Sequence, residues 1–339
     1  MRFLELFWHP VATAAEVAAA APHPLAVTLL GRDLAVAATG PTFEPARFAV
    51  LDDRCAHRGT RLSVGWAEDG AVRCAYHGWR WAPDGRCVEI PSLPDGPIPA
   101  KACVAAHEAR LAHGLVWVRL DRALGDDAHI PACPAWDDPA MKVLEGAPYT
   151  WPVSAARRVE NFVDLAHFAW VHDGSLGRRD QPVPPLPEIA RCGGELRFHY
   201  DPPELDSVDG AALFGASAYR MPMPLTVDIA FAQADGARRR LWMTASPVTD
   251  GTCRSFWMVC RDDDLDGDDA EHMAFQDRIL AEDEPVVCAQ VPPELPLDPG
   301  SELSVRTDRV SIEYRRWLRE LATGFESSGA EGVRSALGA

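Results

Sequence analysis

Cys55 and His57 stand two apart and Cys74 and His77 three apart, with sixteen residues between the pairs, in the stretch CAHRGTRLSVGWAEDGAVRCAYHGW. Thiolate is a soft ligand and neutral imidazole a borderline one, so the two short hooks suit zinc or an iron–sulfur cluster. A second constellation lies in ENFVDLAHFAWVHDG, residues 160–174, which carries Asp164, His167 and His172. The pattern over 155–172 predicts a helix, on which Asp164 and His167 share a face. His172, five residues beyond His167, points about 140° away on an ideal turn. Both histidines reach one metal only if the helix widens by a π-type turn or ends there, and Asp173-Gly174 favours an ending. Further on, LAEDEPVVCAQ offers Glu282, Asp283 and Glu284, each equally readable as an acid on a solvated helix face.

The elements that must hold these residues differ between the two halves. Before residue 121, short runs such as LAVTLLG, LAVAATG, RFAVLDD and GLVWVRL, broken by Gly, Pro and Asp, predict a small all-β domain. The Pro- and Asp-rich stretch 126–139 reads as a connector, dividing the chain into residues 1–125 and 126–339. In the second part the pattern predicts the helix over 155–172, an irregular excursion over 176–217, three strands from LTVDIAFAQ to CRSFWMVCR, and helices over 269–289 and 305–322. The run DDDLDGDDAE at 262–271 reads as a solvated acidic loop, because it lacks the ligand spacing of a calcium loop.

Common structural zinc sites use Cys-x-x-Cys pairs, which the Cys-x-His first hook does not match. Two thiolates on one iron and two imidazoles on the other are the ligands of a Rieske centre. With CAYHGW around the second hook, the sequence resembles the Rieske non-haem iron oxygenases. The resemblance implies that Cys55 and Cys74 hold one iron of a [2Fe-2S] cluster and His57 and His77 the other. The family pattern N-x-x-D-x-x-H-x-x-x-x-H is matched by Asn161, Asp164, His167 and His172. It implies that His167 and His172 bind a catalytic Fe(II), with Asp283 as third ligand, in a stretch that looks especially like that of the dicamba monooxygenase and vanillate demethylase oxygenases.

The fold implied is α+β: an N-terminal all-β Rieske domain, then a helix-grip-like catalytic domain with an antiparallel sheet around a long helix. The resemblance further implies a ring of three subunits, in which Asp164 joins His167 of one subunit to His77 of the next. Electrons would come from NAD(P)H through a separate reductase or ferredoxin, and dioxygen would hydroxylate or oxidatively demethylate a small organic substrate.

Composition agrees with that setting. The chain has 339 residues and a formal charge of -17, which argues against nucleic acid or an anionic membrane as partner. Nine cysteines in no disulfide framework suit a reducing cytoplasm. The Ala-rich run VATAAEVAAAA is a poor export signal because Glu16 interrupts it. No apolar run approaches the roughly 18 residues of a spanning helix. Arg54, Arg58, Arg61, Arg73, Arg80 and Arg86 outnumber Glu68, Asp69 and Asp84 around the hooks, a basic surface for an acidic donor or for a subunit interface. Phe214, Met221, Met223, Phe231, Trp242, Met243, Phe256 and Trp257 are readable as pocket lining and, more readily, as core. The competing classes are a Rieske electron carrier and a zinc-stabilised ligand-binding protein.

Overall fold

Short apolar runs punctuated by Gly and Asp form strands through the first 120 residues. In the computed structural model, which describes residues 1–40, 48–192, 194–201, 216–232 and 236–338, they make three small antiparallel sheets. One joins His9–Thr13, Leu115–Arg119 and Glu108–Ala112; a second joins Leu25–Leu29, Arg32–Ala38 and Phe48–Asp52. The third joins Trp66–Glu68, Ala71–Arg73, Arg80–Trp81 and Cys87–Glu89. Val36, Val50, Val116 and Val118 close one core, while Leu51, Leu62, Val72 and Trp81 close another that includes Cys55 and Cys74. The Ala-rich run near the start becomes a strand and the helix α1, Ala14–Ala20, rather than one apolar segment. The Thr13 hydroxyl accepts from Glu16 N and Glu16 Oε2 accepts from Thr13 N, a reciprocal cap that Glu16 exists to make.

Contacts divide the chain into two units: Leu4–Ile130, which holds these sheets, and Pro131–Ala339 with Met1–Phe3. The second unit is built on an eight-stranded antiparallel sheet. Its strands run in the order Lys142–Glu145, Thr252–Arg261, Arg238–Thr249, Thr226–Ala232, Ser217–Met223, Glu195–Tyr200 and Ile189–Cys192, and Tyr149–Trp151 pairs alongside Thr252–Arg261. Helix α2, Ala155–Val163, lies against the central strands, and the short α3 spans Phe168–Val171. Then come α4, Asp269–Val287, α5, Arg309–Ser328, and α6, Ala330–Leu337. Helix α5 buries Val310, Tyr314, Trp317, Leu318 and Leu321, an i, i+4, i+7, i+8, i+11 stripe of the helical period.

Three expectations need correction. The stretch 155–172 is two helices, because α2 stops at Asp164, whose backbone is extended (φ -78°, ψ 122°). The excursion 176–217 contains the strands Ile189–Cys192 and Glu195–Tyr200, the latter with inward Leu196, Phe198 and Tyr200 alternating with outward Arg197 and His199. The acidic run 262–271 is only partly solvated: Asp262 pairs with Arg238, Asp263 with Arg239, and Asp269 with Lys142 (2.7 Å) and Arg261 (3.1 Å). No helix among the described residues is long and apolar enough to cross a membrane.

Candidate metal centres

The two hooks have one backbone geometry despite their unequal spacing. Cys55 N donates to Thr60 O (2.8 Å) and Gly59 N to Cys55 O (2.9 Å); Cys74 N donates to Trp79 O (2.9 Å) and Gly78 N to Cys74 O (3.0 Å). Gly59 and Gly78 both sit at positive φ, +75° and +72°, a conformation that closes such a turn without a Cβ clash. Asp53 braces the first hook by accepting from Ser63 N and Oγ, both at 2.7 Å. Arg73 braces the second by donating to Gly78 O at 2.8 Å while pairing with Glu68 and Glu89.

Cys55 and Cys74 are each 2 % exposed and face one another; burial first, and then the neighbouring Cys74, push the Cys55 thiol up. Two such thiols carry negative charge together only beside a cation. The His57 and His77 rings approach to 4.6 Å between centroids, and the buried His57 Nδ1 has no hydrogen-bond partner among the described residues. An orphaned imidazole nitrogen beside paired thiols is what a four-ligand iron–sulfur site requires, so the residues fit the cluster. Trp79 stacks on His57 at 4.4 Å with its plane tilted by 9°, a contact with no signal in the sequence beyond its place in the hook. The expected basic surface is smaller than the sequence suggests. Arg73 and Arg80 are mostly buried and paired with carboxylates, and Arg61 and Arg86 are exposed but paired; Arg54 and Arg58 are exposed as well.

The second centre is made possible by the helix break. The Asp164 carboxylate accepts from Ala166 N (2.9 Å), turning the chain so that His167 opens α3 and His172 closes it in a non-helical conformation (φ -107°, ψ 37°). The helix ends where Asp173-Gly174 suggests, with His172 as the non-helical cap and no π-turn; what the sequence does not show is the earlier break at Asp164, which makes α3 a separate short helix. His167 Nε2 and His172 Nε2 then lie 3.5 and 3.3 Å from Asp283 Oδ1, which α4 supplies. One nitrogen of each histidine and one Asp283 oxygen all fall within 4.8 Å of one another. Bonds of about 2.1 Å to a divalent metal set neighbouring donors about 3.0–3.5 Å apart, so this set fits such an ion.

The electrostatics favour positive charge at this point. His172 Nδ1 faces Glu282 Oε2 at 2.7 Å, and Glu282 Oε1 accepts from Ser175 Oγ at 2.8 Å. Glu282 therefore holds the proton on Nδ1 and leaves the Nε2 lone pair facing an anionic oxygen, an arrangement that calls for a cation between them. Burial disfavours protonated His172, but Asp283 and then Glu282 outweigh it and raise its pKa. Burial likewise opposes ionisation of Asp283, yet His172 and Arg158 hold its pKa below the usual carboxylate value.

The three acids of α4 thus part company: Asp283 is 5 % exposed and faces both imidazoles, Glu282 backs His172, and Glu284 is exposed. In the sequence Glu282 is a rival to Asp283 as ligand, and nothing there points to Ser175 or Arg158. Glu282→Ala is expected to keep the visible spectrum of the first centre while weakening Fe(II) affinity at the second by about 10- to 100-fold, read by chelator competition. Unchanged affinity would remove Glu282 from this role.

Asp164 Oδ2 lies 3.6 Å from His167 Nδ1, within ion-pair reach but beyond hydrogen-bond distance. The carboxylate is one-third exposed and borders a cavity of about 220 Å³ lined also by Arg157, Glu160, Glu302 and Arg315. Met221, Met223, Phe231, Trp242, Met243, Phe256 and Trp257 are all buried on the sheet strands, and Phe214 lies outside the described residues.

Residues 7–105 match the Rieske [2Fe-2S] domain, and residues 151–324 match the vanillate O-demethylase oxygenase C-terminal domain. The chain is 38% identical to the methylxanthine N1-demethylase NdmA of Pseudomonas putida, over 99% of this chain and 93% of that one. The chain belongs to the Rieske non-haem iron oxygenases. This oxygenase is also 39% identical to the methylxanthine N3-demethylase NdmB of Pseudomonas putida, over 94% of its own length and 90% of that protein's. Its fold superposes on Pseudomonas putida CBB5 NdmA with caffeine at a TM-score of 0.92 and 37% identity, covering 99% and 96% of the two chains. Dicamba monooxygenase bound to dicamba, at 22% identity and a TM-score of 0.76 over 94% and 98%, shares the fold. As a Rieske oxygenase the protein uses dioxygen and reductase- or ferredoxin-supplied electrons on a small organic molecule.

Proposed function

We propose that this oxygenase removes a methyl group from a nitrogen of a small flat heteroaromatic compound. The observation that carries the reading is the convergence of His167, His172 and Asp283 in a chain similar, over nearly its whole length, to two N-demethylases. In this reading residues 1–125 hold a [2Fe-2S] cluster through Cys55, His57, Cys74 and His77, and residues 126–339 hold Fe(II) through His167, His172 and Asp283. The bound iron supplies activation of dioxygen against a C–H bond, with electrons that arrive through the cluster.

The chain's own residues do the rest. Glu282 keeps the Nδ1 proton of His172 in place, and Phe168, whose ring centroid lies 4.9 and 6.0 Å from those of His167 and His172, offers an aromatic face to a planar substrate beside Tyr200 (5.9 Å). The net change is N–CH3 plus dioxygen, two electrons and two protons to N–CH2OH plus water; the carbinolamine then splits into N–H and formaldehyde. Turnover with a surrogate reductase on a panel of N-methylated and O-methylated aromatics should release one formaldehyde per N-methyl lost. Ring hydroxylation without formaldehyde would replace demethylation by plain monooxygenation.

The same proposal includes a closed ring of three subunits in which electrons pass from His77 of one to His167 of the next through Asp164. Exposure of His77 and partial exposure of Asp164 support it, as does a carboxylate able to accept from an imidazole on either side. Asp164→Asn is expected to keep both metals but turn over far more slowly. Co-expressing a Cys55→Ala chain with a His167→Ala chain should restore roughly a quarter of wild-type activity, because an intact cluster then faces an intact iron at a quarter of the junctions. Mixed rings with both metals and no recovery would contradict transfer between subunits.

A further inference from the structure

Beside the second centre lies a charge that the ligand set does not account for. Arg158, on α2, has a side chain 0 % exposed. Its guanidinium stands 4.0, 4.5 and 5.6 Å from the rings of Phe162, Trp151 and Tyr149, a cage of aromatic faces that stabilises a cation away from water. Nε donates to the Tyr149 hydroxyl at 2.8 Å. Nη1 donates to Asn161 Oδ1 and lies 3.5 Å from Asp283 Oδ2. Nη2 is buried with no hydrogen-bond partner among the described residues.

Of the two groups that Nη1 meets, the amide is two-faced: it can present either oxygen or NH2. Guanidinium only donates, so the Asn161 face turned to it must be the oxygen, and the NH2 must face away. On that side Asn161 Nδ2 donates to Asp283 Oδ1 at 3.1 Å and stands 3.5 Å from His167 Nε2. Asp283 spans the same two sides: Oδ2 is turned to Arg158, and Oδ1 lies within 3.5 Å of both imidazoles. Asn161, the only asparagine among the 339 residues, thus has its amide orientation held by a buried cation.

We propose that Arg158 is a positioning residue of this oxygenase: its Nη1 fixes the Asn161 amide as a donor toward the iron ligands and anchors the Asp283 carboxylate that faces the two histidines. The inference rests on His167, His172 and Asp283 being the iron ligands. A lysine in this place keeps the charge but lacks the Nε that anchors the group on the Tyr149 hydroxyl and the planar face held by the rings, so its donor is not fixed in place.

Arg158→Lys therefore separates positioning from charge. With the cluster spectrum unchanged and one mononuclear iron per chain at saturation, Fe(II) affinity is expected to fall about tenfold. The electron paramagnetic resonance signal of the ferrous protein treated with nitric oxide is expected to split from one species into two, as the amide adopts both orientations. Wild-type affinity together with a single unchanged signal would overturn the proposal. Should the lysine variant fail to fold, neutron diffraction of the iron-loaded wild type decides: deuterons on Asn161 Nδ2 directed at Asp283 uphold it, and an Asn161 oxygen directed there overturns it. Retention of iron by Asp283→Ala would instead defeat the ligand assignment on which the inference stands, so the two failures are told apart.

Discussion

Replacing Cys55 or Cys74 with alanine is expected to abolish the red-brown colour of the purified protein, and with it all turnover. Each thiol is buried at the end of a turn built for it, and losing one leaves an iron with an incomplete set of ligands, so the cluster is lost or fails to assemble. The loss should extend to folding of the hooks. Cys55 and Cys74 belong to the core that also contains Leu62, Val72 and Trp81, and a cavity replaces the cluster there. Visible absorbance and acid-labile sulfide, measured on the monodisperse variants, check the expectation; an unchanged spectrum in either variant would sink the Rieske assignment of these residues.

The second large effect is expected at the other centre. His167→Ala, His172→Ala and Asp283→Ala should each keep the cluster spectrum and lose the mononuclear iron together with detectable product, since two remaining ligands hold Fe(II) poorly. Asp283→Ala should differ from the histidine variants in stability. It leaves the guanidinium of Arg158 buried without its carboxylate, a loss of about 3–5 kcal/mol by the usual cost of breaking a buried ion pair. Thermal unfolding of the three variants, read beside their iron content, separates the two consequences. Equal melting temperatures for Asp283→Ala and His167→Ala would argue that the buried pair carries no stability.

Much of this protein is legible in one sequence because metal ligation imposes residue types at short range. The two hooks are local, and Cys55, His57, Cys74 and His77 need nothing distant to be read as a set. The pair His167 and His172 is equally local, but a uniform helical period hid the reason it works. Asp164 caps its own loop by accepting from Ala166 N, and that side-chain competition with the helix ladder is invisible to apolar periodicity. Asp283 and Glu282 adjoin in sequence, so no pattern could assign one to the metal and the other to His172; only the orientation of α4 against α3 does so. The strands Ile189–Cys192 and Glu195–Tyr200 were missed because Pro-rich flanks mask a short alternation. The basic surface is smaller than the arginines around the hooks imply because Glu89, past the second hook, pairs with Arg73 and Arg80.

The central claim is that one chain carries two different iron centres, which separates an oxygenase from an electron carrier and from a zinc protein. The most direct measurement is the iron-to-chain ratio, taken together with acid-labile sulfide, for the wild type and for His172→Ala purified alike. The expected result is about three irons and two sulfides per chain in the wild type, falling to about two irons with sulfide unchanged in the variant. Two irons and two sulfides in both, or zinc in place of iron in either, would contradict it.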